Sequence, residues 1–254
     1  MDLKQRIRHG WDISAEGYSE LIQDDLWPEK KFPWLDTILE HAPQKDDMKI
    51  LDAGCGPGFF SIILSEAGFD VTGIDLSVEM IKQAEGNAEA METDPAFLVM
   101  DIEDPDFKEN TFDLIVSRNV VWSLEDPEKA YENWLRILKP GGKVLVFDGD
   151  YLKDLRDPEN GRNEYDTYFA EYRRIYGKDP KCSFAKDEYD EARGWRTELP
   201  LAKEKRPDWD VDICKKLGYG NVKMEWVNEK VFTDEKEILV HKNHPYFLVI
   251  GEKV

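Results

Sequence analysis

The chain has 254 residues and carries 54 Asp and Glu against 34 Lys and Arg, a formal net charge of −20. That length suits one sizeable core with an added segment. A surface of this sign repels phosphate backbones and anionic lipid heads, which argues against a nucleic-acid or membrane-surface partner. The three cysteines, Cys55, Cys182 and Cys214, form no C-x-x-C pair and speak against a disulfide framework or a zinc ribbon. No apolar run reaches the ~18 residues a membrane span needs, and the charged start MDLKQRIRHG has no signal-peptide core, so a cytoplasmic location is expected.

Leu3, Ile7, Tyr18, Leu21 and Ile22, then Phe32, Leu35, Ile38 and Leu39, recur at roughly helical spacing and predict an N-terminal helical lead over residues 1–45. An apolar strand beginning at Lys49 then runs through Asp52 into the turn Gly54-Cys55-Gly56-Pro57-Gly58. Alternating glycines leave a bare backbone pocket that a nucleotide-like ligand can enter, and the predicted helix Phe59–Ala67 points its first N–H groups at it. A second strand, Phe69 to Asp75, ends in a carboxylate about 20 residues after the glycines, where α/β nucleotide folds grip a ribose. Ser77 opens the next helix, to Ala90, as its N-cap. Strand Ala96–Met100 leads to Asp101, a second carboxylate at a strand end, placed for an adenine amino group. A polar loop, a strand from Phe112 to Asn119, a helix Pro127–Leu138 opened by Asp126-Pro127, a Pro140-Gly141-Gly142 turn and a strand to Phe147 follow. Strands alternating with helices predict a parallel sheet with helices on both faces.

Dinucleotides and S-adenosylmethionine share this layout. A G-x-G-x-x-G fingerprint starting at Gly54 needs glycine at position 59, which is Phe59; the third glycine falls at Gly58 instead, which disfavours a nicotinamide oxidoreductase. With ILDAGCGPG, VTGIDLS, the Asp101 strand end and FDLIVSRN…RILKPGG in that order, the stretch from about residue 46 to 150 resembles the class I S-adenosylmethionine-dependent methyltransferases, in the small-molecule branch related to quinone-biosynthesis C-methyltransferases. The resemblance implies a Rossmann-like, mostly parallel seven-stranded sheet. It implies that Asp52, Gly54, Cys55, Gly56 and Gly58 surround the methionine part of the cofactor, that Asp75 holds its ribose, and that Leu76 and Met80 pack near its adenine. Asp101 and Ile102 then read the adenine edge, and Asn119 lies beside the cofactor's amino group. S-adenosylhomocysteine would be the product.

Beyond the fifth strand, residues 152–208 read as an insertion with thirteen basic and fourteen acidic residues. Tyr165, Tyr168, Phe169, Tyr172 and Tyr176 recur there at helical spacing, and such a stripe must be buried against something. An insertion at this point lies above the carboxyl ends of the sheet, so it is the expected substrate cap. The core, 46–151, resumes at 209–254 with a helix around Val211–Leu217 and strands Val222–Phe232 and Tyr246–Gly251. Trp11, Tyr18, Arg118 and Trp122 are the candidates for the lining of the methyl site, with no catalytic base nominated. His241 and His244 lack the i, i+4 spacing of a helical zinc pair, and no metal is expected. Cys182 and Cys214 leave open a soft acceptor. The expected activity is methyl transfer to a small molecule; a cofactor-binding module without turnover stays as the alternative.

Overall fold

The computed structural model describes residues 1–158, 170–179, 181, 189–241 and 245–254. Two helices lead, α1 (Leu3–Asp25) and α2 (Pro28–His41); α1 opens with a capping box in which Asp2 accepts from the Gln5 N–H and the Gln5 side chain accepts from the Asp2 N–H. The core then alternates β1 (Lys49–Ala53), α3 (Phe59–Glu66), β2 (Asp70–Asp75), α4 (Val78–Ala90), β3 (Ala96–Val99), β4 (Phe112–Arg118), α5 (Pro127–Ile137) and β5 (Leu138–Gly149). It closes with helix Asp208–Leu217, β6 (Gly220–Trp226) and β7 (Tyr246–Glu252). The seven strands lie in the order β3-β2-β1-β4-β5-β7-β6, with β7 antiparallel to both of its neighbours. This is the Rossmann-like, mostly parallel sheet that the sequence led us to expect.

Successive strand residues feed two cores. Leu51, Ile115, Val144 and Val249 face α5 and the Asp208–Leu217 helix, whereas Ile50, Leu114, Leu145 and Ile250 face α2 and α3. Helix α1 gives Ile7 to the first core and Ile22 to the second, so it crosses over an edge of the sheet. That edge is where the carboxyl ends of β1 and β4 separate, the point at which the strand order reverses and α/β sheets open a crevice.

Three local expectations are corrected. Pro140-Gly141-Gly142 is no separate turn before a strand: β5 starts at Leu138, directly after α5, and the glycines form an irregularity within it. Phe112 pairs with Leu138 but Leu114 pairs with Lys143, and Gly141 takes a φ of +76° that only glycine adopts freely. Strand β6 stops at Trp226 rather than Phe232; the next residues turn into a short helix, Asn228–Val231, because Val227, Val231 and Phe232 are buried in the core containing Trp34. The helix expected around Val211 begins at Asp208. Of the aromatic stripe, Tyr165, Tyr168 and Phe169 lie outside the described residues, as do Cys182 and His244. Tyr172 is buried, with its ring centre 4.6 Å from that of Tyr176.

Trp34 on α2 is the hub of the second core, with its ring meeting Phe59, Phe60, Phe147, Phe232 and Tyr246 at 5.6–6.2 Å. Trp34→Ala is expected to cost about 3–5 kcal/mol through lost burial and the cavity left behind. Urea unfolding curves of the variant and the parent protein measure it.

Candidate active site

The glycine turn is fastened first. Gly54 and Cys55 both donate their N–H groups to the Ile74 carbonyl, at 2.8 and 2.9 Å, which ties the end of β1 to β2. The Gly56 N–H donates to Asp75 Oδ2 at 2.9 Å, and the Ser77 N–H donates to Asp75 Oδ1 at 2.9 Å. Gly54 has a φ of +77°, and a Cβ there would meet Val120 at 2.4 Å; at Gly56 (φ +50°) the nearest neighbour of a Cβ is the Tyr18 ring at 3.6 Å. The first glycine is required by backbone and packing, the second by backbone conformation beside the open space.

That space is a cleft of about 630 Å³, including its open mouth, at the carboxyl edge of β1 to β4. Its walls include eleven residues singled out from the sequence: Trp11, Tyr18, Gly54, Gly56, Asp75, Leu76, Met80, Asp101, Ile102, Arg118 and Asn119. A smaller hollow of about 280 Å³ shares Tyr18, Gly54, Gly56 and Arg118 with it and adds Asp52 and Cys55. Two expected residues line neither. Gly58 takes a φ of +94° as the N-cap of α3, and a Cβ on it would point at Ala84, Ile62 and Phe97 at 3.2–3.3 Å, so its role is in packing. Trp122 stands behind the wall: its ring meets Trp11, Tyr151 and Trp195 at 5.5–5.9 Å, and its Nε1 donates to the Asn119 carbonyl at 3.0 Å.

Arg118 is held by its surroundings. Its Nη2 donates to Asp25 Oδ2 at 2.9 Å, and its guanidinium lies 4.5 Å over Trp34 and 4.4 Å over Phe59. Its Nε and Nη1 are buried and have no acceptor among the described residues. Burial works against its charge, but Asp25 outweighs this and keeps Arg118 above its ordinary range. Asn119, at a φ of +63°, joins three phenols: its Nδ2 donates to Tyr18 Oη at 3.2 Å, and its Oδ1 accepts from Tyr151 at 2.8 Å and from Tyr246. Burial pushes the Tyr151 and Tyr246 hydroxyls above their usual range, so both stay neutral donors.

Several residues of the site were missed from the sequence. Lys4 on α1 reaches Asp101 at 2.8 Å and Glu103 at 2.7 Å; burial opposes its charge, yet these hydrogen bonds hold it above the usual lysine range. Asp12 accepts from the Ser77 hydroxyl at 2.6 Å, joining α1 to the start of α4. The signal was present in the spacing: Lys4, Ile7, Trp11 and Tyr18 share one face of α1, and all four line the cleft. Tyr151 and Tyr246 gave no local signal, because they come from the ends of two other strands. His241 stacks on Phe232 at 4.1 Å, a packing role, and among the described residues no cluster of metal-binding side chains exists.

A reversing parallel sheet, a bare glycine turn and carboxylates at the next two strand ends define a Rossmann-like domain with a cleft at its carboxyl edge. Residues 51–146 match the family described as a methyltransferase domain. The chain is 39% identical over 115 residues to phosphoethanolamine N-methyltransferase 3 of Arabidopsis thaliana, which covers 45% of this chain and 23% of that protein. It is 38% identical over 122 residues to the malonyl-[acyl-carrier protein] O-methyltransferase of Erwinia billingiae, covering 47% of each. A solved phosphoethanolamine N-methyltransferase 2 of Haemonchus contortus, in complex with phosphomonomethylethanolamine and S-adenosylhomocysteine, shares the fold at a TM-score of 0.57 and 20% identity, over 89% of this chain and 53% of that one. This chain therefore spans about half or less of the length of these relatives. Residues 51–146 are therefore similar to a methyltransferase domain, carried on the fold that the solved structure shares.

Two carboxyls of the site are pushed upward by burial: Asp52 to about 7, against hydrogen bonds from the Ser61 N–H and hydroxyl, and Asp75 to about 6, against the Ser77 and Gly56 N–H groups. The folded chain thus keeps a proton on Asp52 that the unfolded chain releases near its ordinary value of 3.8. The stabilising contribution of that proton is complete below that value and is lost as the pH rises through about 7. Asp52→Asn, which stays neutral, is expected to gain in melting temperature relative to the parent between about pH 5 and pH 8. Thermal melts across that range check this, and a pH-independent difference contradicts it.

Proposed function

We propose that the chain binds S-adenosylmethionine along the carboxyl edge of β1, β2 and β3 and transfers its methyl group to a small molecule. The observation that carries this reading is that the Gly54–Gly56 backbone, Asp75 and the Asp101-Ile102 pair, from three neighbouring strands, line one cleft. Each Asp75 oxygen accepts one backbone N–H, which leaves a lone pair on each for a ribose hydroxyl. Leu76, Met80 and Ile102 offer apolar faces to the base, and Asp101 is an acceptor for its amino group. The unsatisfied Nε and Nη1 of Arg118 suit the carboxylate of the methionine end, beside Asp52.

Bound there, S-adenosylmethionine supplies an electrophilic methyl group on a sulfonium. The chain supplies placement, worth on the order of 7–11 kcal/mol when reacting groups are held at near-attack distance. The Trp11 and Tyr18 rings offer cation–π attraction of roughly 0.5–2 kcal/mol. Tyr18 lines the cleft, and behind it Tyr151 and Tyr246, neutral and bonded to Asn119, support that wall rather than deprotonate an acceptor. An acceptor that arrives already nucleophilic, such as an amine, fits this wall best. The relatives methylate nitrogen in one case and oxygen in another, so the shared domain does not choose the acceptor.

Calorimetry with S-adenosylmethionine and S-adenosylhomocysteine is expected to show binding of both, weakened by about 1–3 kcal/mol in Asp75→Ala through lost hydrogen bonds. Binding of neither overturns the proposal. Release of S-adenosylhomocysteine with a panel of small acceptors, phosphoethanolamine first, tests turnover. Tight binding without turnover across the panel favours the alternative of a cofactor-binding module.

A further inference from the structure

Strand β3 ends the sheet on one side and pairs, among the described residues, with β2 alone. It consists of Ala96, Phe97, Leu98 and Val99, all apolar, yet Leu98 is 42% and Val99 52% exposed. Edge strands are ordinarily blunted by a lysine, a proline or a covering element, because their open N–H and C=O groups template another strand. β3 is short, four residues, and Pro95 stands just before it, but no lysine or proline interrupts Phe97–Val99.

The register identifies the open groups. The Met100 N–H donates to the Asp75 carbonyl at 2.9 Å, and in a parallel pair alternate residues bond to the same neighbour. Ala96, Leu98 and Met100 therefore face β2, and the N–H and C=O groups of Phe97 and Val99 face outward. The flanks are charged: residues 85–109 hold nine Asp and Glu against one Lys, a net −8 of the chain's −20. Glu89, Glu92 and Asp94 before the strand, and Asp106 and Glu109 after it, are exposed. A second copy would bring the same acidic flanks against these and is disfavoured. An apolar strand between acidic flanks is complementary to an extended segment with basic flanks.

We infer that the β3 edge is a docking surface for a protein partner that adds a β-strand alongside Phe97–Val99 and presents lysine or arginine on either side of it. The main-chain groups of Phe97 and Val99 supply the hydrogen bonds, Leu98 and Val99 the apolar contact, and the acidic flanks the attraction and the salt dependence. Because β3 leads directly into Asp101, a partner seated there also braces one wall of the cleft.

Amide exchange of the full chain by NMR tests this, with two synthetic peptides as probes: alternating threonine and valine flanked by lysines, and the same core flanked by glutamates. The lysine peptide is expected to slow exchange at Phe97 and Val99 about tenfold or more, less so as salt is raised, while the glutamate peptide has no effect. Val99→Pro removes an outward donor without touching the β2 ladder; it is expected to abolish the slowing while keeping the parent's melting temperature and cofactor affinity. The inference is overturned by unchanged exchange with the lysine peptide, by equal slowing with both peptides, or by a free chain that is already a dimer with Phe97 and Val99 protected.

Discussion

The grip of the Asp75 carboxylate on two backbone N–H groups, those of Gly56 and Ser77, is the constraint on which the rest of the site depends. One oxygen holds the glycine turn after β1 in place, and the other holds the start of α4. Through Ser77 the same node reaches further: its hydroxyl caps α4 at the Met80 N–H and donates to Asp12 on α1. A single buried side chain thus sets the floor of the cleft, the direction of one helix and the seat of another. Burial raises its carboxyl to about 6, and the two N–H groups keep that rise in check.

Helix α1 is as much a part of the site as the sheet is. It crosses the carboxyl edge with Lys4, Ile7, Trp11 and Tyr18 facing the cleft, and it is held by Lys4 on Asp101, Asp12 on Ser77 and Asp25 on Arg118. It also meets the segment after residue 189: Arg6 makes a bidentate pair with Glu198 at 2.6 and 2.7 Å, and the Arg193 guanidinium lies 4.0 Å over the Trp11 ring. Gly10 permits this closeness, since a Cβ there would meet the Ala192 carbonyl oxygen at 2.2 Å.

Below the cleft, a fully buried ionic group supports the loop after β4. Arg206 donates to Asp148 at 2.7 Å and to Asp210 at 2.6 and 2.8 Å, Tyr131 donates to Asp210 at 2.9 Å, and Asp148 also accepts the Trp122 N–H at 3.1 Å. Burying such charges is expensive and pairing them roughly offsets the cost, so their value lies more in geometry than in stability. The geometry joins the end of β5, the segment before the Asp208–Leu217 helix and the loop bearing Asn119 and Trp122.

The amino-acid sequence by itself determined the parallel sheet, the glycine turn and the carboxylates at the ends of β2 and β3. Each is written in a few neighbouring residues: continuous apolar runs for strands buried on both faces, glycines where φ is positive, Ser77 and Asp126 where helices start. Spacing alone could not place Gly58 and Trp122, which have the right types and positions yet face packing rather than the cleft. Nor could it show the irregularity within β5, where a Pro-Gly-Gly signal is indistinguishable from a turn until the β4 ladder is seen. Only the tertiary structure decided the partners of Arg118, Lys4, Asn119 and Arg206. Among them Arg118–Asp25, Lys4–Asp101, Asn119–Tyr246 and Arg206–Asp148 join residues 58 to 127 positions apart, and no local periodicity records which distant side chains a fold brings together.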